Sequence, residues 1–127
     1  MCLAVAGHAV TTVVCGADTS LAISALSRDD ARRILEGWVG LWREAWLRPL
    51  PVPCRTALEF LAPNDRDHEA ARRVFEGDGR REGERSYSAY LARSVAAYED
   101  VRDALETGAR PLYGDLVDRL QFTGPDL

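Results

Sequence analysis

The residues able to do chemistry in this chain are few and widely separated. Its two histidines, His8 and His68, lie sixty positions apart, and neither has a cysteine, aspartate or glutamate at metal-ligand spacing. No serine stands in a G-x-S-x-G elbow, and GDGRREG (77–83) lacks both the lysine and the flanking strand and helix of a phosphate loop. Acid pairs such as Asp29–Asp30 and Glu99–Asp100 are adjacent on helices and diverge by about 100°, so they read as capping and solubility residues. Every one of the sixteen cations is arginine, which removes any mechanism needing a lysine as Schiff base, general base or phosphate clamp. What remains is a local excess of positive charge at Arg72, Arg73, Arg80, Arg81 and Arg85. These guanidiniums can hold nucleic-acid phosphates or an acidic partner. Glu69, Glu76, Asp78, Glu82 and Glu84 stand beside them, and that balance favours neutralisation in place.

Composition bounds the class. The chain has 127 residues, 46% hydrophobic and 28% charged, with a net charge of -4, which suits one soluble globular domain and provides no global field for nucleic acid. Cys2, Cys15 and Cys54 are odd in number and widely spaced, as expected of reduced thiols in the cytoplasm. The apolar start has no Lys or Arg before Arg28 and is broken by His8, Thr11 and Thr12, so neither a signal peptide nor a membrane span is expected. No metal and no cofactor is implied.

The elements that must position these residues centre on Ser27–Pro53. Ala31, Ile34, Leu35, Trp38, Leu41, Trp42, Ala45 and Trp46 fall at steps of three and four and predict one apolar helical stripe. Ser27 and Asp30 supply its start, and Pro49 its stop near Arg48. Trp42 and Trp46 have a spacing that could stack bases, but a buried stripe needs the same spacing, and the core reading is preferred. Upstream, Ala9–Cys15 and Leu21–Ala25 flank the turn residues Gly16–Thr19 and predict a β-hairpin. Downstream, Thr56 and Glu59 suggest a capping box for a helix over 57–62, and Asn64 and Asp67 open another that Gly77 closes. A mobile, solvated loop is expected over 76–86, then a helix of about five turns through Leu91–Leu105 closed by Gly108. Pro111 opens a last helix carrying Leu112, Leu116 and Leu120, and the tail after Phe122 should fray. The fold class is α+β: a β-hairpin or small sheet packed against the long Trp-rich helix, with several further helices, all in one domain over 1–127.

Three passages resemble the C-terminal domain of the RecC family, the gamma subunit of exodeoxyribonuclease V. They are LEGWVGLWREAWLRPLPVP with CRTALEFL after it (35–61), FEGDGRREGERS (75–86) and ALETGARPLYGDL (104–116), in the family's order. The resemblance implies a degenerate PD-(D/E)xK nuclease-like domain, the C-terminal portion of a larger subunit. It implies a non-catalytic scaffold or DNA-guiding role in a RecBCD-type helicase-nuclease complex acting in double-strand break repair and recombination, with helicase-nuclease sister subunits as partners. The residues agree that no nuclease site is present: active relatives need carboxylates for a metal and an acid-x-lysine pair on a strand, whereas the strand near Ile23 carries no acid and the chain has no lysine. The alanine-rich stretch from Ser86 to Ala104 departs from the family's pattern. The competing expectation is an independent helical interaction module, a homodimer sharing its tryptophan stripe.

Overall fold

The structure, a computed structural model, describes residues 2–16, 20–63 and 67–123. It is α+β, and the chain divides into two compact units, residues 1–47 with 118–127, and residues 48–117.

The first unit begins with helix α1 (Cys2–Val5) and strands β1 (Thr12–Cys15) and β2 (Ser20–Ile23). The β-branched run pairs as expected: β1 and β2 are antiparallel, with Val13 opposite Ala22 and Val14 opposite Leu21. The expected turn residues Ala17, Asp18 and Thr19 lie outside the described residues. Two strands alone are marginal in water. The third is β3 (Leu120–Thr123), antiparallel to β2 with Ile23 opposite Leu120, where the sequence suggested a helix end and a fraying tail. The sheet order is β1-β2-β3.

Helix α2 (Arg28–Ala45) starts as Ser27 dictates: the hydroxyl accepts from the Asp30 amide at 3.0 Å and donates to Asp30 Oδ2 at 2.9 Å. That hydroxyl, with Arg119 and Arg33, holds the Asp30 carboxyl below its usual range. The helix ends three residues before Arg48, at Ala45. The expectation that its stripe forms the core fails. Only Ala31 and Ile34 are buried, whereas Trp38, Trp42 and Trp46 are exposed, Trp42 to 61% and Trp46 to 76%. The reason is length. The helix packs against α1, which has four residues and spans roughly one turn at about 1.5 Å per residue, and β1 is exposed at every position.

The second unit holds the buried core. Helices α3 (Cys54–Phe60), α4 (Glu69–Glu76), α5 (Ala89–Ser94), α6 (Glu99–Ala109) and α7 (Asp115–Val117) are joined by a 3₁₀ turn over Glu84–Tyr87 and a π-helical turn over Arg110–Gly114. Ala57, Ala71, Phe75, Val95, Tyr98, Val101, Leu105 and Ala109 pack into one cluster. Burying a side chain such as Phe75 or Leu105 contributes about 1.5–3 kcal/mol, and both are fully buried.

The predicted five-turn helix is two helices. Val95 is extended, and the break is held by acids: Asp100 Oδ2 accepts from the amides of Ala96 and Ala97, both at 3.0 Å, and Glu76 Oε1 accepts from the Tyr98 amide at 2.9 Å. Gly108 closes nothing. It lies buried inside α6, where an added Cβ would stand 2.8 Å from Val52 Cγ2. Pro111 sits within the π-helical turn that continues α6, so no separate helix starts there. Asn64, expected to open α4, lies outside the described residues, and the N-cap position is taken by His68 with a left-handed φ of 56° and its ring stacked on Phe60 at 4.1 Å.

Candidate functional site

The expected arginine cluster separates into groups with different surroundings. Arg72 leaves it: its guanidinium pairs with Glu99 and lies over the Tyr98 ring, 5.4 Å from the centroid. Arg85 also turns away and donates to the Ala96 carbonyl. Arg73, on α4, donates from Nε to the Glu69 carbonyl within its own helix at 3.3 Å. Arg80 and Arg81 sit in the loop after α4 and are exposed.

That loop has an internal framework. Gly77 and Glu82 form an isolated antiparallel bridge. Inside it, Asp78 Oδ1 accepts from the amides of Arg80 at 3.0 Å and Arg81 at 2.8 Å, and these bonds, that from Arg81 first, hold its carboxyl below the usual range. Gly83 passes so close to α4 that an added Cβ would stand 2.2 Å from the Phe75 carbonyl oxygen, so any side chain here would force the backbone to shift. Glu84 then reaches across to the start of α3. Its carboxylate accepts from the amides of Arg55 at 3.0 Å and Thr56 at 2.7 Å and from the Thr56 hydroxyl at 2.8 Å. The Thr56–Glu59 box read from the sequence is therefore replaced by a cap from a residue 28 positions away, because Thr56 already lies inside the helix.

These bonds orient three of the acids expected to balance the arginines and leave their negative charge in place. Glu76, Asp78 and Glu84 commit their carboxylates to backbone amides, and the acid paired with Arg72 is Glu99, from α6. For Glu76 and Glu84 sequence spacing could not reveal this, since they take helix-start amides 22 and 28 positions away that only the fold brings near.

Arg73 and Arg81 converge with a residue that sequence reasoning missed. Arg55, on α3, joins them around a cleft of about 240 Å³ whose other charged walls are Glu59, Asp78 and Glu82. Arg55 also lies 5.9 Å from the centre of the Tyr87 ring. Close by, burial pushes the Tyr113 phenol up to about 12, helped by its hydrogen bond with Cys54.

The second candidate surface is the uncovered side of α2. Trp42 and Trp46 meet edge to face, 6.0 Å between centroids, and together with Ala45 border an open hollow of about 220 Å³. A larger groove of about 420 Å³ runs between Val5 and the Leu35, Val39 and Gly40 side of the same helix, flanked by Arg32 and Arg43. Val39 and Leu47 add to the exposed apolar surface. Among the described residues no three histidine, cysteine or acidic side chains are grouped as metal ligands, and no helix is long and apolar enough to cross a membrane.

Residues 3–64 match a family model, the RecC C-terminal domain. The matched span takes in most of α1 and all of β1, β2, α2 and α3, and so includes the whole tryptophan helix; the later passages 75–86 and 104–116 lie beyond it. No curated protein and no solved structure matches the chain significantly.

Proposed function

We propose, for a chain whose residues 3–64 are RecC C-terminal domain sequence, that it serves as a non-catalytic docking and DNA-guiding domain of a RecBCD-type helicase-nuclease complex in the cytoplasm, acting in double-strand break repair. The family match carries the reading. The uncovered side of α2 supports it, because contiguous apolar surface of this kind marks an interaction site in a soluble protein. Exposed Trp side chains are the residue type most enriched where partners contribute binding energy. The occupant is a sister subunit of the complex, and the region of contact is the Trp38–Trp46 face with the adjoining Val39 groove.

The absence of nuclease chemistry is part of the same proposal. A nuclease derived from the PD-(D/E)xK pattern needs strand carboxylates and a basic partner to hold a metal and activate water. Here β2 reads Ser-Leu-Ala-Ile, β1 reads Thr-Val-Val-Cys, and the sequence contains no lysine. The domain is proposed as a degenerate member of that fold, kept for its surfaces.

Co-expression with the helicase-nuclease sister subunit of the same genome tests the docking. The expected result is co-purification of the two chains, lost in a Trp42→Ser/Trp46→Ser variant whose circular dichroism is unchanged. A variant that still co-purifies refutes the tryptophan face as the contact. A concentration-stable homodimer that ignores the sister subunit refutes the reading altogether and favours the self-associating module. Magnesium-dependent cleavage of linear DNA by the purified chain would refute the non-catalytic part.

A further inference from the structure

We propose that the uncovered side of α2 is closed in the free chain by α2 of a second copy, packed antiparallel across a two-fold axis, and that docking of the sister subunit displaces that copy. The displacement rests on the reading above; the pairing itself is argued from α2 alone.

Three observations carry it. First, Arg32, Leu35, Val39, Trp42 and Trp46 follow one another at alternating steps of three and four, the heptad spacing of a two-helix seam. Leu35 is half-buried and the other four are exposed. Second, the charges beside that seam complement themselves. Glu36 and Arg43 both line the groove of about 420 Å³, and they stand two turns apart, about 10 Å along the helix, too far to meet within one chain. Among the described residues neither has an ion pair. When two copies of α2 run antiparallel with the axis passing between Val39 and Gly40, Glu36 meets Arg43 of the second copy and Arg43 meets its Glu36. The same register layers Val39 on Trp42 of the second copy and Leu35 on its Trp46, and it brings Arg32 to the C-terminal end of that α2, where a cation is favoured. A parallel pair would instead set Glu36 level with Glu36 and Arg43 level with Arg43. Third, Gly40 borders the groove beside the axis, and a Cβ added there would meet nothing within 4 Å. Glycine weakens a helix interior and no neighbour in its own chain requires it, whereas at the axis it lets two backbones approach. A partner helix of one charge sign would satisfy either Glu36 or Arg43 and repel the other; a second α2 satisfies both.

The area available makes the pairing reversible. Trp42 and Trp46 are 61% and 76% exposed, and a fully buried aromatic side chain covers about 150–250 Å². With Leu35 and Val39, two copies together cover on the order of 1,000 Å², at the low end for specific interfaces. The dimer therefore forms as concentration rises and yields to an occupant that covers more of the tryptophan face.

The test is sedimentation velocity of the full chain from low micromolar to submillimolar concentration, with variants whose circular dichroism is unchanged. The expected result is a monomer that becomes a dimer as concentration rises, while acrylamide quenching of the tryptophans falls in step. Glu36→Arg alone and Arg43→Glu alone should each weaken the dimer about tenfold or more, because each creates two like-charge contacts, and the loss should shrink at high salt. The double variant Glu36→Arg/Arg43→Glu should recover the dimer, and so should mixing the two single variants, since both combinations restore opposite charges at both contacts. Glu44→Arg, the same charge change on α2 away from the seam, should alter nothing. Excess sister subunit should convert the dimer into a one-to-one complex. The pairing is overturned if the wild type stays monomeric throughout, if either single reversal associates like the wild type, or if neither the double variant nor the mixture recovers. A dimer that persists within the complex overturns the displacement. Co-purification with the sister subunit in the absence of any dimer removes the second copy and leaves the docking; a dimer without co-purification removes the docking and leaves the pairing.

Discussion

Replacing Glu84 by alanine should loosen the unit of residues 48–117 far more than loss of a half-exposed acid would suggest. The carboxylate makes three bonds of 2.7–3.0 Å at the start of α3, two to backbone amides and one to the hydroxyl of Thr56, which is fully buried. The first amides of a helix have no partner of their own, and α3 has no other side-chain cap, because Pro53 stands at its N-cap. Loss of a cap costs about 0.5–2 kcal/mol, and a buried hydroxyl left without its partner adds about 1–3 kcal/mol. Allowing for overlap, Glu84→Ala should cost roughly 2–4 kcal/mol. Glu84→Gln keeps one carbonyl acceptor but turns an N–H donor toward donors, so it should fall between.

The sequence supplies a convenient reporter. All four tyrosines lie within 48–117 and all three tryptophans within 1–47, so tyrosine near-ultraviolet dichroism follows the second unit separately. With a urea dependence of about 1–3 kcal/mol/M, the midpoint of the tyrosine signal should fall by about 1–2 M, and amide exchange at residues 55 and 56 should quicken. A shift below about 0.5 kcal/mol, the range of ordinary surface changes, or unchanged exchange at those amides, would refute the clasp.

The other expectations are briefer. Gly83→Ala should destabilise the same unit by about 1–3 kcal/mol or more, since its Cβ would stand 2.2 Å from the Phe75 carbonyl oxygen, whereas Gly108→Ala meets side-chain methyls of Val52 and Leu50 and should cost less; urea midpoints compare them. Native tryptophan emission should sit close to that of free indole and be readily quenched by acrylamide, because Trp42 and Trp46 are mostly exposed; blue-shifted, protected emission would contradict the uncovered helix. The carboxyl of Asp78 is held low by the Arg81 and Arg80 amides, so the stability it contributes is present above its unfolded value and is lost as pH falls through the lowered native one. Asp78→Asn should therefore show a shallower loss of midpoint on acidification than the wild type. Tyr113 has the opposite sign: burial raises it to about 12 against an ordinary 10.0, so stability should fall as pH rises between those values. No lysine titrates in that window, and Tyr113→Phe should flatten the decline.

How much of this was legible follows from the range of each interaction. Ser27 capping Asp30 is contained in four consecutive residues, and the strand pairing of Thr12–Cys15 with Ser20–Ile23 follows from a β-branched run and a nearby turn. The cap of α3 by Glu84 and the break before α6 held by Glu76 join residues 28 and 22 positions apart, and nothing in the local pattern of either partner announces them. Strand β3 was missed because four residues at the end of a chain look frayed until a free edge on β2 is known to await them. For the candidate cleft, the run Arg72–Arg85 drew attention to Arg73 and Arg81. Arg55 was invisible, because its place in the cleft depends on α3 lying against the loop.

The tryptophan helix marks a different limit. Period 3.6 establishes that α2 is helical and which side is apolar, and both hold. It does not establish that the chain itself provides the cover. With only Ala31 and Ile34 buried, α2 gains little from packing, and its stability rests on the Ser27 cap, on Asp29 and Asp30 in the first turn and Arg43 in the last. The cap is worth about 0.5–2 kcal/mol and each end charge about 0.3–1 kcal/mol, the latter less than a large apolar side chain gains when it leaves water. A chain selected only for the stability of this unit would replace Trp42 and Trp46 with polar residues at no cost in packing. Their presence at 61% and 76% exposure is accounted for if their burial takes place against another subunit. On that account, the sister subunit should protect both indoles from acrylamide in the complex, and Trp42→Ser/Trp46→Ser should lower the affinity while leaving the melting of the free chain unchanged.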